Sequence, residues 1–253
     1  MTDQRVALVT GAGSGIGRAT VLRFLRAGHG VFATDRAEEG LVETARIAAA
    51  GDRLRTLVQD VTADAAPGEV VNAAIAAFGG LDWLVNNAGI GGAKAVHETS
   101  DADLDRFIDT NLRAVFRFTR EALPHLNAGR GSIVHLASSF GIIGYPGSSI
   151  YSTTKAALAG LTRQMAADYG PKGIRVNAVA PGLIETGMTR ERLASSATYR
   201  KLMIETTPFP RWGQPGDVAN AIHFLCSDEA SFVNGQTLAV DGGWTVTNWV
   251  GGV

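Results

Sequence analysis

The stretch RVALVTGAGSGIGRATVLRFLRAG, residues 5–28, joins a short apolar run to a glycine-rich turn and then to a segment of helical spacing. Residues 5–10 read as a strand and residues 15–28 as a helix. Gly11, Gly13, Gly15 and Gly17 permit a tight turn, let backbone approach a bulky ligand, and let the following helix pack closely. The N–H groups at that helix start favour a pyrophosphate. The order is Thr-Gly-x-x-x-Gly-x-Gly, and Ile16 and Arg18 depart from the Gly-x-Gly-x-x-Gly dinucleotide spacing. A glycine-rich turn is often only a turn; its place between strand and helix gives it weight.

The same alternation recurs outward from this stretch. Apolar or β-branched runs at 30–35, 54–60, 81–87, 132–138, 174–180 and 236–240 predict further strands. Helical spacing covers 67–79, the long stretch 101–127, 150–169 and 215–227, and the Ala-rich ARIAAAG and NAAIAAFGG also read as helix. Several strands lack clean polar alternation, which suits strands covered on both faces. The pattern predicts a doubly wound α/β fold of Rossmann type, with a central parallel sheet and helices on both faces, whose ligands lie beyond the carboxyl ends of the strands. With no repeat, linker or charge block, residues 1–253 read as a single domain.

Composition narrows the function classes. A 45% hydrophobic and 19% charged chain with a net charge of −1 carries no broad attraction for nucleic acid or anionic membrane. Its one cysteine, Cys226 in ANAIHFLCSDEA, excludes an internal disulfide framework and a multi-cysteine metal site, and reads as a packing residue. The N-terminal MTDQRVALVTG has charges at Asp3 and Arg5 and a short apolar run, unlike a signal peptide, and no stretch reaches a membrane span. The expectation is a soluble, cytoplasmic protein without a metal centre.

The strand ends hold the candidate chemistry. Asp35, in ATDRAEE, stands where a carboxylate accepts hydrogen bonds from adenosine ribose hydroxyls and repels a 2′-phosphate, which favours NAD over NADP. Arg36 beside it is a cation that accepts such a phosphate. Asp60 and Val61 close the third run, and Asn86, Asn87, Ala88 and Gly89 close the fourth, where Asn side chains can bridge neighbouring strands. Ser138 and Ser139 end the fifth run; Tyr151 follows Ser138 by thirteen residues and has Lys155 four residues on, one turn away on the same helix face. Pro181 and Gly182 end the sixth run and lead into a segment, about 184–212, that could close over a ligand.

Together these residues resemble the short-chain dehydrogenase/reductase family over essentially the whole chain. The resemblance rests on Thr10-Gly11-x-x-x-Gly15-x-Gly17, Asn86-Asn87-Ala88-Gly89, Asn111, Ser138, Tyr151-x-x-x-Lys155, and Pro181-Gly182 with Thr186. It implies hydride transfer between a nicotinamide and a carbonyl or secondary alcohol, with Tyr151 as general acid or base. A free phenol titrates at about 10, so a useful phenolate near neutral pH requires about 3–4 kcal/mol in its favour, from Lys155 and the nicotinamide charge. Lys155 would also hold the nicotinamide ribose, Ser138 the substrate oxygen, and Asn111 a water that links Lys155 to solvent. By the same resemblance Gly11, Ser14, Ile16, Asp35, Asp60, Val61, Asn87 and Gly89 would line the adenosine and phosphate half, and Ile184 and Thr186 would meet the carboxamide. Relatives of this kind are commonly tetramers or dimers, which implies a homo-oligomer.

Other residues have blander readings. Lys94 and His97 read as exposed loop, and Arg113, Arg117 and Arg120 as a solvated or subunit-contact face, with an acidic carrier as the other possibility. Phe209 and Trp212 read as anchors of the covering segment, and Trp244 and Trp249 as packing or subunit contacts in the tail. Residues 90–97, 139–149 and 183–212 would shape the substrate pocket, with Phe140, Ile142, Ile143, Tyr145, Ile184 and Met188 against Ser148, Ser149 and Glu185. The leading expectation is an NAD-dependent dehydrogenase of a secondary alcohol, polyol or sugar-derived hydroxyl. The alternatives are an NADPH-dependent 3-oxoacyl-thioester reductase, disfavoured by Asp35 and by Tyr145-Pro146-Gly147-Ser148 in place of Asn-Pro-Gly-Gln, and a non-catalytic nucleotide sensor.

Overall fold

In the computed structural model, which describes residues 4–92 and 94–249, the alternation of strand and helix becomes one parallel sheet. Asp3 and Ala93, which the N-terminal and pocket readings include, lie outside the described residues. The strands are β1 (Val6–Thr10), β2 (Gly30–Asp35), β3 (Leu54–Val58), β4 (Trp83–Asn86), β5 (Ser132–Leu136), β6 (Arg175–Pro181) and β7 (Thr237–Val240). Their order, β3-β2-β1-β4-β5-β6-β7, reverses direction between β1 and β4, which opens a crevice at the carboxyl ends of those two strands.

Both faces of the sheet are covered, and this is why the strands read as unbroken apolar runs. Ala7, Val9, Val31, Ala33, Val85 and Val134 face one core, where Phe24 of α1 (Gly15–Arg26), Leu41 of α2 (Glu38–Ala48) and Ile222 of α9 (Pro215–Cys226) pack. Leu8, Phe32, Leu84 and Ile133 face the other, against Val70 of α3 (Ala66–Phe78), Phe118 of α5 (Ala114–Ala122) and Met165 of α6 (Ser149–Tyr169). Alternate residues thus serve opposite layers, as the pleat requires.

Three differences from the sequence reading matter for the site. The third strand ends at Val58, so Asp60 and Val61 lie on the loop beyond it. The stretch 101–127 is not one helix: α4 (Asp101–Ile108) passes through a wider π-helical turn, Asp109–Arg113, into α5, and Pro124 sits in the short 3-10 turn that ends it. The segment after β6 folds into α7 (Gly187–Ser195), α8 (Ala197–Arg200) and a π-helical turn, Lys201–Glu205. Its two ends meet, because Ile184 bridges Gly213 and Glu185 Oε2 accepts from Trp212 Nε1 at 3.1 Å and from Gln214 Nε2 at 3.2 Å. The buried Cys226 thiol, pushed up to about 12 by desolvation, is a packing residue as expected.

Candidate active site

The glycine turn is fixed by its own neighbours. A Cβ on Gly17 would lie 2.0 Å from the Gly11 carbonyl oxygen and 2.5 Å from Asn87 Nδ2, so no larger residue fits without moving the turn. Gly11 has φ +66°, a left-handed conformation that side chains resist. Asn87 bridges the strand ends as its residue type suggested: Nδ2 donates to the carbonyls of Thr10 at 2.8 Å and Gly11 at 3.0 Å. Thr10 Oγ1 accepts from the N–H groups of Asn87 and Ala88 at 3.1 and 3.0 Å. Ser14, the N-cap of α1, makes no side-chain cap bond, and the first turn of α1 carries no acidic residue, which leaves its N–H groups toward the cleft.

Asp35 ends β2 with both carboxylate oxygens engaged by backbone: Oδ2 accepts from Gly13 N–H and Oδ1 from Ala37 N–H, each at 2.9 Å. The Arg18 guanidinium, named in the motif reading only as a departure from the spacing, reaches back to the carbonyls of Gly13 and Gly40 and to Thr44 Oγ1. It ties the turn to α2.

A cavity of about 400 Å³ runs from this turn to the start of α6. Gly11, Ser14, Gly15, Ile16, Gly17 and Asp35 line one end of it, and Asn87, Ala88 and Gly89 its middle. Ser138, Tyr151, Lys155, Pro181, Gly182, Ile184 and Thr186 line the other end. Asp60 and Val61 line an adjoining cavity of about 550 Å³ that shares Asp35, Arg36 and Gly89 with the first. Of the residues named at the strand ends, Asn86 and Ser139 are buried and line neither cavity, as is Asn111; the others that could hold a dinucleotide border these two adjoining cavities.

At the end of the cavity near α6, Ser138 hydrogen-bonds Tyr151 and accepts from Phe140 N–H at 3.2 Å. Tyr151 and Lys155 lie a turn apart in α6, with the Lys155 Nζ 5.8 Å from the Tyr151 ring centre. That ammonium donates to the Leu136 carbonyl at 2.6 Å, a partner at a strand end that only the fold could supply. Burial holds Lys155 down at about 8. Burial also pushes the Tyr151 phenol up, and the Ser138 hydrogen bond opposes this only in part. The lowering of the phenol expected from Lys155 is not found: burial raises it and only the Ser138 hydrogen bond opposes, so further positive charge is required to favour the phenolate.

Asn111 sits in the π-helical turn, fully buried. Its side chain holds both backbone groups of Ile90: Oδ1 accepts from the N–H at 2.8 Å and Nδ2 donates to the carbonyl at 3.0 Å. A Cβ on Gly89 would lie 3.1 Å from Asn111 Oδ1 and 3.5 Å from Lys155 Nζ, so the absence of a side chain there keeps the cleft floor open.

The remaining readings also have definite places. Lys94 pairs with Asp103 at 2.5 Å on the exposed rim, and His97 lies in an exposed turn. Arg113 pairs with Asp109 and Arg117 with Asp64. Trp244, read as a packing or subunit contact in the tail, packs against the Phe140 cluster beside Tyr151. Among the described residues no group of His, Cys, Asp and Glu could hold a metal ion.

These residues fit a dinucleotide: a glycine cradle at a helix start, a carboxylate at the end of β2, and a buried Tyr–Lys pair at the far end. The comparisons agree. A family model described as Enoyl-(Acyl carrier protein) reductase matches residues 11–245. The chain is 44% identical to 2-(R)-hydroxypropyl-CoM dehydrogenase of Xanthobacter autotrophicus, covering 95% of this chain and 98% of that one. It is 40% identical to a 3-oxoacyl-[acyl-carrier-protein] reductase of Thermotoga maritima, covering 96% and 99%. A solved structure titled as a short-chain dehydrogenase/reductase, glucose/ribitol dehydrogenase, from Brucella melitensis superposes with a TM-score of 0.91 at 40% identity, over 96% and 97% of the two chains. The chain belongs to the short-chain dehydrogenase/reductase family and is an oxidoreductase acting on CH–OH groups with a nicotinamide cofactor.

Proposed function

We propose that this enzyme transfers a hydride between NAD(H) and a secondary alcohol or its ketone, with a polyol, a sugar-derived hydroxyl or another hydroxy compound as substrate. The observation that carries the reading is the convergence of Ser138, Tyr151 and Lys155 on the cleft that begins at the glycine turn. The bound nicotinamide supplies or accepts the hydride. Tyr151 gives its phenolic proton to the carbonyl oxygen in reduction and takes the hydroxyl proton in oxidation. Ser138 donates a hydrogen bond to the same oxygen as charge develops on it. Lys155 holds the nicotinamide ribose and stabilises the phenolate, and Asn111 fixes the Gly89–Ile90 backbone beside it while positioning a water that links Lys155 to solvent.

Gly11, Ser14, Gly15, Ile16 and Gly17 would hold the pyrophosphate. Asp35, Asp60 and Val61, with Asn87, Ala88 and Gly89, would hold the adenosine half. Pro181, Gly182, Ile184 and Thr186 would hold the carboxamide end. Asp35 supports NAD, because a 2′-phosphate would meet its carboxylate. The segment about 184–212 serves as the substrate-covering element of a single domain, and its joined ends suit that role. A homo-oligomer, tetramer or dimer, in the cytoplasm is the assembly proposed. A groove on α5 and α6 lined by the half-exposed Phe116, with Arg120, Leu161 and Tyr169, supports a subunit contact there. Among the described residues no helix is long and apolar enough to cross a membrane.

Arg36 beside Asp35 in both cavities favours a second reading, an NADPH-dependent 3-oxoacyl-thioester reductase. Nicotinamide absorbance followed with NAD⁺ and NADP⁺ separately, against secondary alcohols, polyols and a 3-hydroxyacyl thioester, decides between them. Turnover with NAD⁺ and an alcohol, lost in Tyr151→Phe, is expected. Turnover confined to NADP⁺ and the thioester would replace the first reading by the second.

A further inference from the structure

Tyr151 does not stand alone in its cleft wall. The Phe140 ring meets the Tyr151 ring edge to face, with centres 6.2 Å apart and planes at 90°. On its other sides Phe140 stacks on Tyr145 at 4.2 Å, nearly parallel, and touches Trp244 at 5.8 Å. Trp244 also meets Tyr145, at 6.4 Å. Among the described residues, Phe140 is therefore the ring in contact with both the proposed acid/base residue and the tryptophan of the C-terminal segment. The same indole reaches the element that follows β6: Trp244 Nε1 donates to Thr206 Oγ1 at 2.8 Å, just past the second π-helical turn. Leu183, Tyr199 and Met203 are buried in this cluster, with Leu193 and Ile204 packed around them.

The backbone under Trp244 is held firmly. Asp241, directly after β7, accepts from the N–H groups of Gly243 and Thr245 at 2.9 and 3.0 Å, and from Thr245 Oγ1 at 2.6 Å. Phe209 N–H donates to the Gly242 carbonyl at 3.2 Å, so the end of the covering segment also rests on this turn. Trp244 thus has a fixed base, one polar contact to the covering segment and ring contacts that lead through Phe140 to Tyr151.

We infer that Trp244 is a positioning residue that couples the placement of the segment 187–206 to the placement of the Tyr151 ring. The inference rests on the reading of Tyr151 as the acid/base group. When the indole N–H holds Thr206 the aromatic cluster is closed, the Tyr151 ring is braced by Phe140, and water is kept from the phenol. When that bond is lost the cluster loosens at Phe140, and both the aim and the hydration of the phenol change. The tail is then part of the catalytic apparatus, through contacts with groups that touch the substrate.

Two variants remove the bond from its two ends. Trp244→Phe keeps an apolar ring and removes the donor, and Thr206→Val keeps the shape and removes the acceptor. Each is expected to lower kcat by roughly fivefold, the equivalent of one ordinary hydrogen bond, and the double variant by little more than either alone. Trp244→Ala is expected to lower kcat by roughly 10- to 100-fold. A second measurement needs no substrate: the ultraviolet titration of Tyr151, taken as the difference between each protein and its Tyr151→Phe counterpart. Loosening the cluster admits water to the phenol, so in both single variants the Tyr151 titration should move to lower pH. A rise in KM alone, with kcat and the Tyr151 titration unchanged, would overturn the inference and leave Trp244 a packing residue. Failure of the unmodified chain to oxidise any alcohol would remove the catalytic reading of Tyr151, while the titration would still decide whether Trp244 controls its environment.

Discussion

Gly17 and Tyr151 show how single side chains, absent or present, set the cleft. A methyl group at residue 17 would overlap the Gly11 carbonyl and the Asn87 amide, both held by strand-end hydrogen bonds. Gly17→Ala should cost about 1–3 kcal/mol, as overpacking does. Thermal unfolding should show the loss, and NADH fluorescence should show weakened cofactor binding. Gly216→Ala, in α9 where a Cβ meets nothing within 4 Å, is the matched control and should leave both unchanged or raise stability. At Tyr151 the sign follows from burial. Its pKa is raised, so the phenol stays protonated at neutral pH, ready to act as an acid. Carbonyl reduction should therefore fall with rising pH and alcohol oxidation should climb, as steady-state kcat/KM in the two directions would reveal. A reduction rate that climbs with pH would remove Tyr151 as the proton donor.

The π-helical turn at Asp109–Arg113 gives an element a functional shape, because the wider turn carries Asn111 inward to both backbone groups of Ile90. Asn111→Ala leaves that buried N–H and carbonyl without their partner and should cost about 1–3 kcal/mol. It should also reduce activity by loosening Gly89 beside Lys155; full activity with an unchanged melting temperature would show that the side chain has no such role. The helical spacing of 101–127 was legible in the sequence, but the wider turn was not, because apolar periodicity does not distinguish one extra residue in a continuous helix. The helix Glu38–Ala48 was visible only at its Ala-rich end, since it buries just Leu41 and Thr44 and shows a thin stripe. The elements between β6 and α9 (α7, α8 and the second π-helical turn) escaped altogether. Their apolar residues answer to Phe140, Tyr145 and Trp244 from distant parts of the chain, a demand that local spacing cannot express. By contrast, the strands were legible to within two residues at each end, and the places of Ser138, Tyr151 and Lys155 in the cleft were legible too, because strand ends and one helix turn are local features with fixed intervals. The Leu136 carbonyl that receives Lys155 was not, because it depends on where β5 ends relative to α6.

At the scale of the molecule, a sheet buried on both faces leaves polar strand residues far from water, and His135 is the clearest case. It lies fully buried in β5, with Nδ1 3.2 Å from Asn86 Nδ2, whose amide also donates to Thr119 Oγ1 at 3.0 Å. Burial first, and the Lys155 charge second, hold its pKa down at about 4. An unfolded histidine titrates at about 6.5. Between these values the unfolded chain binds a proton that the folded chain refuses, so stability is full above about 6.5 and declines as pH falls toward 4. The gap corresponds to something on the order of 3 kcal/mol. His223, also held at about 4 by burial, then by Arg23 and His29, acts in the same direction, with less effect because it is only partly enclosed. Lowered carboxylates such as Asp60 and Asp103 act at still lower pH, since their stabilisation is lost only as pH falls through their folded pKa values. Urea unfolding of the proposed single domain should therefore show one transition whose free energy drops from neutral pH to about pH 5, before the carboxylates titrate. In His135→Asn, which replaces the imidazole by a group that does not titrate, that drop should be markedly smaller even if the variant is less stable at neutral pH. An equal drop in both proteins would place the proton uptake elsewhere, with His223 the next site to substitute.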